Sequence, residues 1–155
     1  MVSPELLRKY PFFKDWEETE LKAVAMLGEM ESFSKGIVLY DAWQKSDTLY
    51  LLVEGEVEVY YVAADRDDPS VQSEHFLGTV TPGVMFGLSS MVKPAIHSTT
   101  TIAGEDGVLI RFPAAGLLIL ADLNPHLGFT LMAHVSNAAI EKLEAARVKL
   151  AAFQD

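Results

Sequence analysis

The apolar residues of this chain change period twice. From Pro4 to Leu27 they recur every three or four positions, with Leu6, Leu7 and Tyr10 on one face and then Leu21, Val24 and Leu27 on another. The spacing predicts a helix opened by Pro4. A second helix follows over Trp16 to Leu27, with Asp15 as its cap and Gly28 as its stop. From Met30 the period drops to two. The stretch "ESFSKGIVLYDAW" alternates and turns at Lys35-Gly36, and "DTLYLLVEGEVEVYYVA" reads as two strands hinged at Glu54-Gly55-Glu56. Val57 and Val59 then face inward, with Glu56 and Glu58 on the solvated side. The polar run "ADRDDPS" is a hairpin loop, "EHFLGTV" a strand, and Pro82-Gly83 a turn before a short apolar strand. "HSTTTIAGEDGVLIRF" supplies two more strands around the turn Gly104 to Gly107.

The helical period then returns. Pro113 opens a helix through Leu120, Asn124-Pro125 interrupts it, and a long helix runs from His126 to about Phe153. On that helix Met132, Val135, Ala139, Leu143, Ala146, Leu150 and Phe153 form one apolar line. Helices, seven or eight short strands with a turn about every ten residues, and two closing helices predict a double-sheet roll. We expect one domain over residues 1–155, with N-terminal helices over 1–30, a roll over 31–112 and C-terminal helices over 113–155. No internal repeat interrupts this plan.

Composition narrows the chemistry. Twenty-two acidic residues against 12 basic ones leave a net charge of −10, and the basic residues stand singly. A duplex-binding surface needs clustered Lys and Arg, so direct nucleic-acid binding is not expected. There is no cysteine, hence no disulfide framework and no thiolate. No apolar run approaches the roughly 20 residues of a membrane helix, and the N-terminus lacks the apolar core of a signal peptide. The expectation is a cytoplasmic protein away from membranes.

Catalytic constellations are missing. "GLSSM" lacks the closing glycine of a nucleophile elbow, and His75, His126 and His134 lack the H-x-H spacing of a metal-binding roll. No enzyme and no metal site are expected.

Five stretches together resemble the cyclic nucleotide-binding domain family of catabolite-activator-type regulators and kinase regulatory subunits. They are "YPFF" at Tyr10 to Phe13, "F-S-K-G-I-V-L" at Phe33 to Leu39, "DTLYLLVEGEVEV" at Asp47 to Val59, "TPGVMFG" at Thr81 to Gly87, and Asn124-Pro125. The resemblance implies a mainly β fold: an eight-stranded β-roll, jelly-roll-like, flanked by N-terminal helices and two C-terminal helices, the last one long. It also implies a phosphate-binding cassette over "FGLSSMVKPAIHSTTTIA", Phe86 to Ala103, with a short helix at Leu88 to Met91. Family position places the ligand contacts at Gly87, Leu88, Ser89, His97 and Ser98. On the long helix it places them at Lys142 and Leu143.

Three of these contacts depart from the family pattern, one being Lys142 and Leu143, where some bacterial members carry adjacent hydroxyl residues that contact the base. Leu88 stands where the family carries the acid that binds the ribose hydroxyl, and His97 where it carries the arginine that forks onto the phosphate. Leucine accepts no hydrogen bond, and histidine lacks the planar two-pronged donor. The cassette is in that sense degenerate, and ordinary cyclic AMP binding is expected to be weak or lost, leaving no cofactor assigned. His97 offers either a contact to an anion when protonated or an ordinary loop histidine. Lys93 and Lys142 offer replacement charge or solvated surface. Leu88 either lines a pocket for another ligand or fills a closed one. Two functions follow: a sensor for a small anionic ligand, or an interaction module with a filled pocket. In the bacterial regulators the last helix forms the dimer axis, which implies a homodimer through Val135, Ala139, Leu143, Ala146, Leu150 and Phe153. There the same helix leads on to a DNA-binding domain, and "KLAAFQD" resembles its end before the hinge.

Overall fold

The computed structural model describes residues 1–154. Helix α1 (Pro4–Leu7) is opened by Ser3, whose hydroxyl accepts from the Leu6 amide. Tyr10 lies beyond its end, before a 3-10 turn at Pro11–Phe13. Helix α2 (Glu18–Leu27) begins two residues later than the sequence suggests, without a side-chain cap. Trp16 belongs to the core instead: it is 3 % exposed and its indole N–H donates to the Phe12 carbonyl at 2.8 Å. Burial of that ring prevails over the capping preference of Asp15. Gly28 ends α2 as expected.

Eight strands follow: β1 (Glu29–Phe33), β2 (Val38–Tyr40), β3 (Thr48–Glu54), β4 (Val57–Ala64), β5 (Gln72–Val80), β6 (Met85–Phe86), β7 (Thr100–Ala103) and β8 (Gly107–Pro113). They form two antiparallel four-stranded sheets, ordered β1-β8-β3-β6 and β2-β7-β4-β5. Strand β3 explains why its sequence is apolar without interruption. Leu49 and Leu51 pack on the helices, whereas Tyr50 and Leu52 pack between the sheets with Phe33, Val57, Val80, Phe86 and Leu109. On β4, by contrast, Val57 faces inward, and Glu58 accepts the Tyr60 hydroxyl at 2.6 Å.

Pro113 is the last residue of β8 and the N-cap position of α3 (Ala114–Leu123), not its first turn. Helix α3 runs three residues beyond Leu120. Asn124 then caps α4 (Pro125–Ala152): its Oδ1 accepts the Leu127 amide at 3.2 Å, and Pro125 fills the first turn, where no N–H is needed. The first half of α4 packs on the roll through Leu127, Leu131 and Val135. Val135 is therefore part of this chain's own core, at 4 % exposure, and not of an outward seam. From Ala139 onward the described part of the helix is exposed. No described helix is long and apolar enough to cross a membrane.

Candidate functional site

Beneath the second half of α4 the roll opens into a cavity of about 460 Å³. Three segments build it. The first is the glycine turn after β6. Gly87 adopts φ 72°, a left-handed conformation, and a Cβ there would lie 2.7 Å from the Thr48 carbonyl oxygen and 2.9 Å from the Tyr50 ring. Only glycine meets both demands without strain. The turn leads into the 3-10 helix Leu88–Met91, held by the Ser90 hydroxyl donating to the Gly87 carbonyl at 2.8 Å.

The second segment is β5. Its ladder with β4 slips between Val59 and Tyr60: Val59 opposes Gly78, and Tyr60 opposes Phe76. Leu77 is thus the extra residue of a β-bulge, left without a cross-strand partner. Its carbonyl accepts the third segment's contribution, a hydrogen bond from Lys149 Nζ of α4. This contact ties the far end of α4 to the roll across the cavity.

The wall is chemically one-sided. Val59, Val80, Phe86, Leu88, Ala145 and Ala146 supply apolar surface, and Thr79, Ser89, Ser98, Thr99 and Tyr40 supply hydroxyls. Among the described residues Lys142 and Lys149 are the charged ones at the cavity, and no carboxylate lines it. In a chain of net charge −10 that is a local reversal of sign. Lys142 is exposed as a residue, yet desolvation holds its pKa below the usual lysine value, with Glu141 acting in the opposite sense. Tyr40 is pushed up to about 12, chiefly by burial, so its phenol is neutral at pH 7.

Of the positions expected to contact a ligand, Gly87, Leu88, Ser89, Ser98 and Lys142 meet at this cavity. His97 and Leu143 do not line it. His97 is 4 % exposed and stacks on Tyr40 with ring centroids 3.7 Å apart and planes 7° from parallel. The Tyr40 ring continues the stack through Tyr50 and Phe86. Burial lowers the His97 pKa, against the pull of the Asp47 carboxylate. Leu143 is 48 % exposed on another face of α4, and Lys93 is an exposed loop residue outside the cavity. Lys149, Ala145 and Ala146 were not expected at a ligand site. The repeat of Lys142 at Lys149, two helical turns on, is the signal that could have found Lys149.

Comparison with known proteins matches this geometry. The Cyclic nucleotide-binding domain family profile matches residues 30–124, well over half of the chain. No curated protein matches in sequence. A protein from Geobacter metallireducens GS-15 described as cyclic nucleotide-binding is 34 % identical, with a TM-score of 0.80 over 92 % of this chain and 99 % of its own. The sensor domain of the transcriptional regulator DNR from Pseudomonas aeruginosa shares the fold at 19 % identity and a TM-score of 0.68, over 87 % of this chain and 91 % of its own. The catabolite activator protein of Thermus thermophilus does so at 21 % identity and a TM-score of 0.67, over 90 % of this chain and 61 % of its own. A two-sheet roll, a glycine turn leading into a short helix and a long final helix over one cavity are thus joined by a direct sequence match, and this chain belongs to the cyclic nucleotide-binding domain family.

Proposed function

We propose that this chain is a non-enzymatic sensor domain whose cavity takes an organic anion with an apolar body, and that ordinary cyclic AMP binds it weakly or not at all. The observation that carries the reading is the cavity's lining: two lysines, several hydroxyls, apolar walls and, among the described residues, no carboxylate. Leu88 puts a branched alkyl group into the wall, where it accepts nothing from a ribose hydroxyl. His97 is held behind Tyr40 and outside the wall, so it is not positioned to fork onto a phosphate. Charge-assisted hydrogen bonds contribute about 1.5–3 kcal/mol each, so two missing ones weaken a cyclic nucleotide by roughly 3–6 kcal/mol. That is about a hundredfold to ten-thousandfold in affinity. Cationic character comes instead from α4, the element that also bridges to the β5 bulge. A ligand that competes with the Leu77 carbonyl for Lys149 would loosen this end of α4, which links binding to helix position. The alternative, an interaction module with a filled pocket, has the open cavity against it.

The same helix supports self-association. Ala139, Leu143, Ala146, Leu150 and Phe153 keep alternating steps of four and three residues, the seam of a coiled coil. Leu143, Leu150 and Phe153 are 48, 63 and 87 % exposed, with Ile140 beside them at 57 %. A second copy of this chain covers them in our reading, and the setting is the cytoplasm.

Two titrations test the sensor reading. Calorimetry with cyclic AMP and cyclic GMP should give dissociation constants of about a millimolar or weaker, and micromolar binding by the unaltered chain would refute the weakened cassette. Anilinonaphthalene sulfonate, an anion with an apolar body, should bind saturably. Its affinity should fall at least about tenfold in Lys142→Met/Lys149→Met, because each lysine removed is a charge-assisted donor. Unchanged affinity in that variant would remove the cavity from the proposal.

A further inference from the structure

Remote from the cavity, the start of α2 meets the start of α4. Glu17 and Glu20, three positions apart, share one face at the opening of α2. His126 is the second residue of α4, held there by the Asn124 cap and Pro125. One donor atom from each of the three lies within 4.8 Å of the other two. His126 Nδ1 is hydrogen-bonded to Glu20 Oε1 and stands 4.0 Å from Glu17 Oε2.

Glu20 is the unusual member. It is 3 % exposed, and its second oxygen, Oε2, is buried without a hydrogen-bond partner. A buried carboxylate is ordinarily satisfied at both oxygens and neutralised by a close cation. Among the described residues no lysine or arginine pairs with Glu17 or Glu20; the only ion pairs they make are with His126. One solvent-exposed imidazole leaves two carboxylates and an orphaned oxygen to account for.

We propose that Glu17, Glu20 and His126 form a binding site for a divalent transition-metal ion, zinc by its chemistry, which staples the first turn of α2 to the first turn of α4. One imidazole and two carboxylates are a donor set that zinc accepts, at bond lengths of about 2.0–2.2 Å, with room for a water as a fourth ligand. Two such bonds at a tetrahedral angle separate their donor atoms by about 3.5 Å, close to the 4.0 Å between His126 and Glu17. Calcium and magnesium prefer all-oxygen sets, so the imidazole selects against them. Glu20 fixes the site from inside. Zinc takes the place of the proton between His126 Nδ1 and Glu20, and that proton is released to solvent. The carboxylate turns its unpartnered oxygen to the ion as its single ligand atom. Glu17 and His126, 64 and 59 % exposed at their side chains, are free to close on an ion arriving from solvent. The helix so anchored is the one that lines the cavity at Lys142 and Lys149.

The test is calorimetric titration of the metal-free chain with zinc chloride, with cobalt(II) absorption as a second readout. One equivalent should bind, cobalt should give the intense visible bands of a four-coordinate ion, and the unfolding temperature should rise by roughly 5 °C or more at about a hundredfold excess over Kd. His126→Ala and Glu17→Gln should each weaken zinc at least about tenfold, whereas His75→Ala, at an exposed histidine on β5, should not. Both altered side chains are exposed, and Glu17→Gln keeps the shape of the residue, so the result stands even if His126→Ala perturbs the fold. Absence of binding up to about a millimolar in folded protein, zinc binding that survives both substitutions, or tighter binding of calcium or magnesium would each overturn the proposal.

Discussion

Replacing Gly87 by alanine tests the turn on which the cavity depends, and Gly36→Ala separates the two costs involved. Both glycines have positive φ, 72° and 90°, so an alanine at either meets left-handed strain of about 1–2 kcal/mol. Their surroundings differ. A Cβ on Gly36 meets nothing within 4 Å, whereas one on Gly87 falls 2.7 Å from the Thr48 carbonyl oxygen and 2.9 Å from the Tyr50 ring. Ordinary contact begins at 3.4 Å, so the start of β3 must move by more than half an ångström or the turn must open. Overpacking of that kind costs about 1–3 kcal/mol. We therefore expect about 1–2 kcal/mol for Gly36→Ala and roughly 2–5 kcal/mol for Gly87→Ala. For a chain of this size the second corresponds to a fall in Tm of roughly 5–15 °C. Urea unfolding followed by the fluorescence of Trp16, buried in the core, measures both. Equal losses in the two variants would refute the steric argument. A loss below about 1 kcal/mol at Gly87 would refute the left-handed turn itself.

Two further outcomes are expected. Because burial depresses the His97 pKa, the unfolded chain binds this proton more readily than the folded one, and stability is lost as pH falls below about 6.5 toward the folded value. Asp47 opposes the shift, and the Tyr40 ring that stacks on His97 is neutral there. The urea midpoint should therefore drop more between about pH 7.5 and pH 5 in the unaltered protein than in His97→Phe, which keeps the stack without the titration; equal drops would refute it. Sedimentation should show a dimer at micromolar concentration and a monomer for Leu143→Glu/Leu150→Glu, with Tm little changed because both positions are exposed in the single chain. A monomeric unaltered protein would remove the second copy.

The order and type of the elements were legible in the sequence because local chemistry decides them. Asn124-Pro125 ends one helix and starts the next through a side-chain oxygen, a missing N–H and a restricted φ, all within four residues. The continuous apolar run of β3 announces a strand buried on both faces, and Gly28, Gly55 and Gly87 fall where the chain must stop or turn. Family position likewise placed Gly87, Leu88, Ser89, Ser98 and Lys142 together, and these five meet at the cavity, but it named none of the β4 and β5 residues of the wall. Asp15 misled because a cap is worth about 1 kcal/mol, less than the burial of a tryptophan ring.

Only the tertiary structure decided what these groups face. The bulge at Leu77 exists because β4 and β5 pair with an unequal count of residues, and no local preference of Leu77 encodes it. Lys149 reaches that carbonyl across 72 residues of chain, and His126 meets Glu20 across 106. Val135, one member of an evenly spaced apolar line, is buried by its own roll, whereas Leu150 on the same line is not. Period reveals which residues share a helix face. It does not reveal how far the neighbouring sheet extends beneath that face. His97 carries the same lesson: its position in the cassette is set by sequence, but its ring is drawn to the Tyr40 stack. Dihedral preferences and caps act over a turn, whereas register and packing depend on partners distant in sequence, which become neighbours only when the roll closes.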